Sequence, residues 1–277
     1  MKNILTFILI VSSTVASFGQ DRLFAYTYQT NVLSKGDFDL EFQNTFAAGK
    51  VGKFSPYVFG QHLDQRLEFE IGLGRKIQTA FYFNSELFNF ADTTSYDLIQ
   101  ELKISFSNEW KWKLSDPMAN KIGVALYEEL EVGGNNFESE TKIILDKRWQ
   151  KDLVAFNIVG KYEIEKEVFR DGVNKTVAEW THNSPVEFYL GYLHFIKPEI
   201  GLGIELKNNN DITKEDGWVN SVVFAGPAVH FSVDRFFANI SVLPQIANLH
   251  KTEAAPGNRD LNGYEAVEIR ALIGYSF

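Results

Sequence analysis

The amino-acid sequence predicts an all-β fold: a single transmembrane, antiparallel, up-and-down β-barrel of twelve strands behind a cleaved signal peptide. Three observations carry this expectation. Hydrophobicity alternates with period two over unusually long stretches, connections alternate between short and long, and aromatic residues are in excess. The chain has 24 Phe, 11 Tyr and 5 Trp beside only 7 Pro and 2 Met. Its mean hydropathy is nevertheless only −0.16. A chain that turns every second residue to lipid and the others to water or ion pairs has this composition.

The 277 residues can bury a sizeable core or close a large sheet without disulfides. The absence of cysteine excludes thiol catalysis, Fe–S clusters and cysteine-type zinc sites. With 36 acidic and 27 basic side chains the formal charge is −9, which argues against nucleic acid as a partner because phosphate contacts need clustered Lys and Arg.

Residues 1–19 read as the export signal. Lys2 is the positive n-region, Ile4 to Val11 the apolar h-region, and Ser17 and Gly19 the small residues of a cleavage site. The apolar run is shorter than the roughly 20 residues of a spanning helix. Losing Lys2 leaves 26 basic and 36 acidic residues, so the mature chain is expected to carry −10. Residues 20–35 are expected to form a periplasmic N-terminal segment, tucked against the lower mouth of the barrel. Arg22 to Val32 is itself extended and aromatic, and a fourteen-strand count that includes it is the competing account.

Twelve strands follow in residues 36–277: 37–46, 57–73, 76–90, 97–113, 120–132, 139–149, 153–168, 179–194, 198–208, 217–231, 236–249 and 262–277. The fourth is the clearest. Leu98, Leu102, Ile104, Phe106, Trp110 and Trp112 share one face, and Glu101, Lys103, Ser105, Ser107, Glu109 and Lys111 the other. A helical spacing would mix the two sets. The short connections are Gly74-Arg75, 115–119, 150–152, 195–197 and 232–235. The others, 47–56, 91–96, 133–138, 169–178, 209–216 and 250–261, are mostly longer and rich in Asn, Asp, Gly and Lys. Such alternation is how outer-membrane barrels are threaded, and an even strand number puts both ends on the short-turn side.

A soluble sandwich with its apolar face inward is the alternative. Against it stand the strand lengths, which suit a tilted bilayer crossing of about 9–11 residues plus extensions. Trp110, Trp112 and Trp149 lie by short turns, and Trp180 and Trp218 just after long loops, as an aromatic girdle at two interfaces would. The other face carries carboxylates and amines that a dry core would not tolerate without full pairing.

The last residues, Ala271-Leu272-Ile273-Gly274-Tyr275-Ser276-Phe277, resemble the terminal signature of Gram-negative outer-membrane barrels. The resemblance implies that Tyr275 and Phe277 are read by the barrel-insertion machinery. Tyr26-Thr27-Tyr28, Lys35-Gly36 leading to Asp39 and Glu41, and Glu68-x-Glu70-x-Gly72-Leu73 with its Arg75 turn are similar to poorly characterised barrels grouped with a transporter assigned to the phenol-degradation meta pathway. That resemblance covers mainly the first third of the chain. It implies a transport-type protein of the outer membrane without an established substrate.

No catalytic motif is evident. Among His62, His182, His194, His230 and His250, only His182 with Ser184 makes even a poor candidate for a hydrolase. Asn208 to Asp211 with Asp216 lacks calcium-loop spacing, so no metal and no cofactor are expected. The inner wall says more. It is expected to carry Asp64, Arg66, Glu68, Glu70, Glu101, Lys103, Glu109, Glu129, Glu131, Lys161, Glu163, Glu165, Glu205 and Arg270, with acids in excess. A water-filled lumen of this kind favours cations. The same residues could instead cross-link a plugged one. The sequence therefore leads to a passive channel or transporter for small molecules, with lipid as its surroundings. The alternatives are a structural or adhesive barrel with partner-binding loops and, third, an outer-membrane hydrolase. Glu128 and Lys147 break the register, pointing to lipid near the rims.

Overall fold

The structure is a computed structural model and describes residues 22–51, 59–91, 98–170, 176–214, 216–253 and 255–277. The predicted export signal lies outside the described residues. The segments are β1 (Phe38–Val51), β2 (Phe59–Gly74), β3 (Ile77–Ala91), β4 (Leu98–Ser115), β5 (Gly123–Gly133), β6 (Asn136–Trp149), β7 (Asp152–Arg170), β8 (Thr176–Asn183), β9 (Val186–Lys197), β10 (Ile200–Thr213), β11 (Gly217–Val233), β12 (Phe236–Asn248) and β13 (Val267–Ser276). β8 and β9 are two pieces of one crossing, since β7 pairs with both, Glu163 opposite Asn183 and Gly160 opposite Val186. The interruption is Ser184-Pro185, where proline has no N–H to give the ladder. Each crossing pairs antiparallel with the next, and β1 pairs with β13, so the sheet closes as a 12-strand barrel without an edge.

Alternation sorts the side chains as the sequence predicts. Leu102, Ile104, Phe106, Trp110 and Trp112 of β4 are exposed on the outer wall, as are Phe81 and Phe83 of β3 and Leu202 and Ile204 of β10. An exposed apolar belt running around a closed sheet is stable only beside lipid. At the seam, Phe277 N donates to Phe38 O at 2.9 Å and the two rings stack at 5.0 Å. Tyr275 and Phe277 thus lie on the outer surface where the last strand meets the first.

The two misfits find local partners. Glu128 does face outward, but its carboxylate accepts hydrogen bonds from Ser139 Oγ at 2.7 Å and Thr141 Oγ1 at 2.5 Å on β6. Lys147 reaches the rim and donates to the carbonyls of Pro117 and Asn120 at 2.9 and 2.8 Å. Its stem crosses apolar surface while the ammonium finds polar atoms.

Several connections read as loops are extended hairpins instead. β5 and β6 pair up to Val132 opposite Phe137, leaving only Gly134 and Asn135 between them, and β10 runs on to Thr213. Their polarity marks water beyond the bilayer, not an end of hydrogen bonding. The reverse occurs before β13, which starts at Val267 and not at 262. Residues 255–266 fold back, with Asp260 N donating to Gln245 Oε1 at 2.6 Å and Gln245 Nε2 to Asp260 O at 3.0 Å.

The largest difference from expectation concerns the N-terminal segment. Residues 22–35 do not hang below the barrel. Residues 22–33 run inside it, forming neither a strand of the wall nor a periplasmic tail, and only Ser34 and Lys35 emerge. Leu23 to Thr30 are all at most 8 % exposed. The backbone leaves the lumen beside β2, where Gly36 N donates to Gly72 O and Gly72 N to Asp37 O, both at 2.9 Å. A Cβ on Gly72 would lie 1.9 Å from Ser34 O, so only glycine permits this exit.

Candidate functional site: the lumen and its internal strap

The strap is held by three apolar clusters. Leu23 and Phe24 pack on Leu153, Ala155, Leu193 and Phe195 of β7 and β9. Ala25 and Tyr26 pack on Val222, Phe224 and Leu243, joined by Tyr264 of the infolded loop. Tyr28 packs on Ala125, Tyr127 and Ile144 of β5 and β6. Gly191 makes room for Phe24, because a Cβ there would stand 2.7 Å from the ring.

Extended backbone without a strand partner must still satisfy its polar groups. Here wall side chains do so. Glu205 accepts from the amides of Ala25, Tyr26 and Thr27 at 3.2, 3.0 and 2.7 Å, and from Ser241 Oγ at 2.5 Å. Asn157 pairs with both backbone groups of Tyr28, at 2.7 and 2.9 Å. Thr30 N and Oγ1 donate to Asp146, and Leu33 N to Gln78 Oε1 at 2.9 Å. Burial lifts the Tyr28 hydroxyl well above its usual pKa, so the strap tyrosine stays neutral beneath Arg22.

Above the strap, towards the long loops, lies a cavity of about 150 Å³. Its acids are Asp64, Glu86, Glu129, Glu131, Glu138 and Glu140, and its bases Arg22, Arg66, Lys142, Lys161 and Arg270. Most are cross-linked. Arg66 pairs with Glu129, Lys142 with Glu140 at 2.6 Å, Lys161 with Glu138 and Glu140 at 3.4 Å, and Arg270 with Asp64 at 3.9 Å. Guanidinium groups also lie over tyrosine rings, Arg66 on Tyr82 at 4.2 Å and Arg270 on Tyr26 at 4.0 Å.

Register produces this arrangement. One row across the wall reads Asp39, Glu70, Ala80, Glu109, Glu129, Glu140 and Lys161, each opposite the next. A second reads Glu41, Glu68, Tyr82, Ser107, Glu131, Glu138 and Glu163. Directly opposed like charges are unfavourable, which the lumen cations offset.

The expected wall residues therefore separate by level. Asp64, Arg66, Glu129, Glu131, Lys161 and Arg270 line the cavity. Glu68, Glu70 and Glu109 lie lower and are buried, and Glu205 is sealed against the strap. Lys103 pairs with Glu165 higher up, Glu163 is half-buried, and Glu101 is exposed near the long-loop end. Trp110, Trp112, Trp149, Trp180 and Trp218 are all about half exposed outside, the first three nearer the short turns.

Sequence reasoning missed Arg22, Tyr26 and Tyr28, which were assigned outside the barrel. It also missed Glu86, Glu138, Glu140 and Lys142. For Glu138, Glu140 and Lys142 a signal existed, since they alternate with Phe137 and Ile143, but outward Ser139 and Thr141 hid the apolar face. The histidines are dispersed. His62 stacks on Phe88 at 4.3 Å, and His182 Nδ1 meets Tyr162 OH at 3.1 Å. His194 bonds Asp152 at 2.9 Å, His230 bonds Asn239 at 2.7 Å, and His250 lies against Trp218.

A closed barrel with an apolar belt, a charged interior and long-strand hairpins at one end is an outer-membrane β-barrel. The chain belongs to a family of unknown function, DUF6662, whose model matches residues 16–277. No curated protein matches the sequence. Among solved structures, the COG4313 outer membrane channel from Pseudomonas putida F1 is similar, with TM-score 0.62 and 9% identity over 90% of this chain and 98% of that one. The beta domain of the Bordetella autotransporter BrkA aligns with TM-score 0.57 and 7% identity over 88% and 100%. The translocator domain of NalP from Neisseria meningitidis gives 0.52 and 10% over 90% and 91%. At such identities the likeness is one of fold.

Proposed function

We propose that this protein is a passive outer-membrane channel for small molecules, entered from the long-loop end and favouring cations. The observation that carries this reading is the charged cavity enclosed by the barrel above the strap, where acids outnumber bases six to five. Carboxylates on a wall of this kind hold counter-cations and repel anions, most strongly at low salt. The COG4313 protein of the same fold is an outer membrane channel, which agrees with the reading. The strap narrows the short-turn half, so passage requires that it shift.

The strap also favours a second reading, a structural barrel with a filled lumen. Planar-bilayer recording of the full protein, and of a variant lacking residues 22–35, separates the two. The channel reading expects cation-selective current from the full protein and larger current from the deletion. A sealed bilayer with both proteins, each folded by heat-modifiable gel migration, would overturn it in favour of the structural barrel.

A further inference from the structure

The lower ends of the two carboxylate rows lie beside the strap. Asp39, Glu41 and Glu70 each bring an oxygen within 4.8 Å of the others, and so do Glu68, Glu70 and Glu109. All five are at most 8 % exposed. Cations at this level are few. Arg22 Nη1 stands 3.7 Å from Glu41 and 3.8 Å from Glu68, and Lys111 lines the same space. Five carboxyl groups thus meet only two bases, and buried acids in excess are costly unless a proton or another cation joins them.

Two further observations indicate what offsets the excess. Asp39 Oδ1, Glu41 Oε2 and Glu109 Oε1 are buried and have no hydrogen-bond partner. Tyr82 OH lies between Glu68 and Glu109, yet its one proton can serve only one of them. Beside Glu41 and Glu70 is a cavity of about 20 Å³, also lined by Gln29 and Asn31 of the strap. That is room for about one small ion or water.

The geometry points to a binding site for a divalent cation of the calcium type, held by Asp39, Glu41 and Glu70 with Glu68 and Glu109 beside them. The donors are all oxygen, which selects a hard cation. Calcium accepts 6–8 oxygens in flexible geometry, whereas magnesium keeps several waters that this space cannot hold. Gln29 and Asn31 of the strap line the same cavity, so an ion here would sit between strap and wall. The site stands whether or not the lumen conducts.

Calorimetric titration of the full chain in detergent, stripped with a chelator and then given calcium chloride in sodium buffer, tests the inference. One saturable calcium per chain is expected. Glu70→Gln, which removes the carboxylate common to both groups, should weaken binding by more than about 10-fold. Asp39→Asn should weaken it too, while Glu199→Gln at an exposed turn should not. Tyrosine-sensitised terbium emission, chased by calcium, gives a second readout on the wild-type protein alone. No saturable calcium or terbium binding by the stripped wild type would overturn the site. Wild-type affinity in a folded Glu41→Gln/Glu70→Gln variant would do so as well.

Discussion

The two sides of the lumen use one backbone pattern for opposite ends. On β9 to β12 the inward positions include Leu193, Phe195, Val222, Phe224 and Leu243, and they grip the strap. On β1 to β7 charged and polar side chains surround the cavity and the carboxylate cluster, and a smaller apolar set, Ala125, Tyr127, Ile144, Leu153 and Ala155, meets the strap. Period-two alternation decides only that a residue faces inward. Whether that interior becomes a dry seat or a charged passage depends on what the chain places against it. The strap lies across the boundary, fixed by apolar burial against β5 to β7 and β9 to β12 and by Arg22 facing the carboxylates.

Removing the strap would erase this asymmetry. Deletion of residues 22–35 should give the largest effect, a several-fold rise in bilayer conductance, because it empties the short-turn half of the lumen. On the gripping side, Glu205→Ala strands three buried amides at about 1–3 kcal/mol each. Hydrogen exchange at Ala25, Tyr26 and Thr27 should accelerate strongly, with the barrel amides of β4 unchanged. Gly191→Ala is milder. A methyl 2.7 Å from the Phe24 ring should cost about 1–3 kcal/mol of strap anchoring, seen as faster proteolysis near Phe24.

On the charged side, Glu131→Lys with Glu138→Lys should lower the cation-to-anion permeability ratio several-fold while leaving strap exchange as it was. High salt should shrink the difference. The smallest effect belongs to a turn outside both regions. Asp116 accepts from Lys113 Nζ at 2.8 Å and from the amides of Met118 and Ala119, which together hold its pKa at about 2, below the ordinary 3.8. A depressed carboxylate contributes stability above its unfolded pKa and loses it as pH falls through the folded value. Asp116 is partly exposed, so solvent screening limits the effect. Asp116→Asn should cost under about 1 kcal/mol at neutral pH, with the difference from wild type shrinking in urea unfolding as pH falls from about 4 through 2.

Much of the wall was legible in the sequence because the bilayer imposes a strict rule on it. Leu102, Ile104 and Phe106 can face only lipid, so Lys103, Ser105 and Ser107 must face in. Strand ends were harder. Beyond the bilayer both faces meet water, alternation fades, and hairpins such as Gly133–Asn136 read as loops. Arg22 to Leu33 misled for a different reason. Their aromatic, extended pattern resembles a strand, yet their amides are met by Glu205, Asn157, Asp146 and Gln78 from strands far along the chain.

The sequence alone determined a lipid-facing barrel, because side-chain alternation and turn length are local and follow directly from the solvent on each face. Only the tertiary structure decided that the N-terminal segment lies inside, that the wall acids form two registered rows, and that five of them gather in two buried groups sharing Glu70. Those are relations between residues on different strands, fixed by register and barrel closure, and no local pattern encodes them.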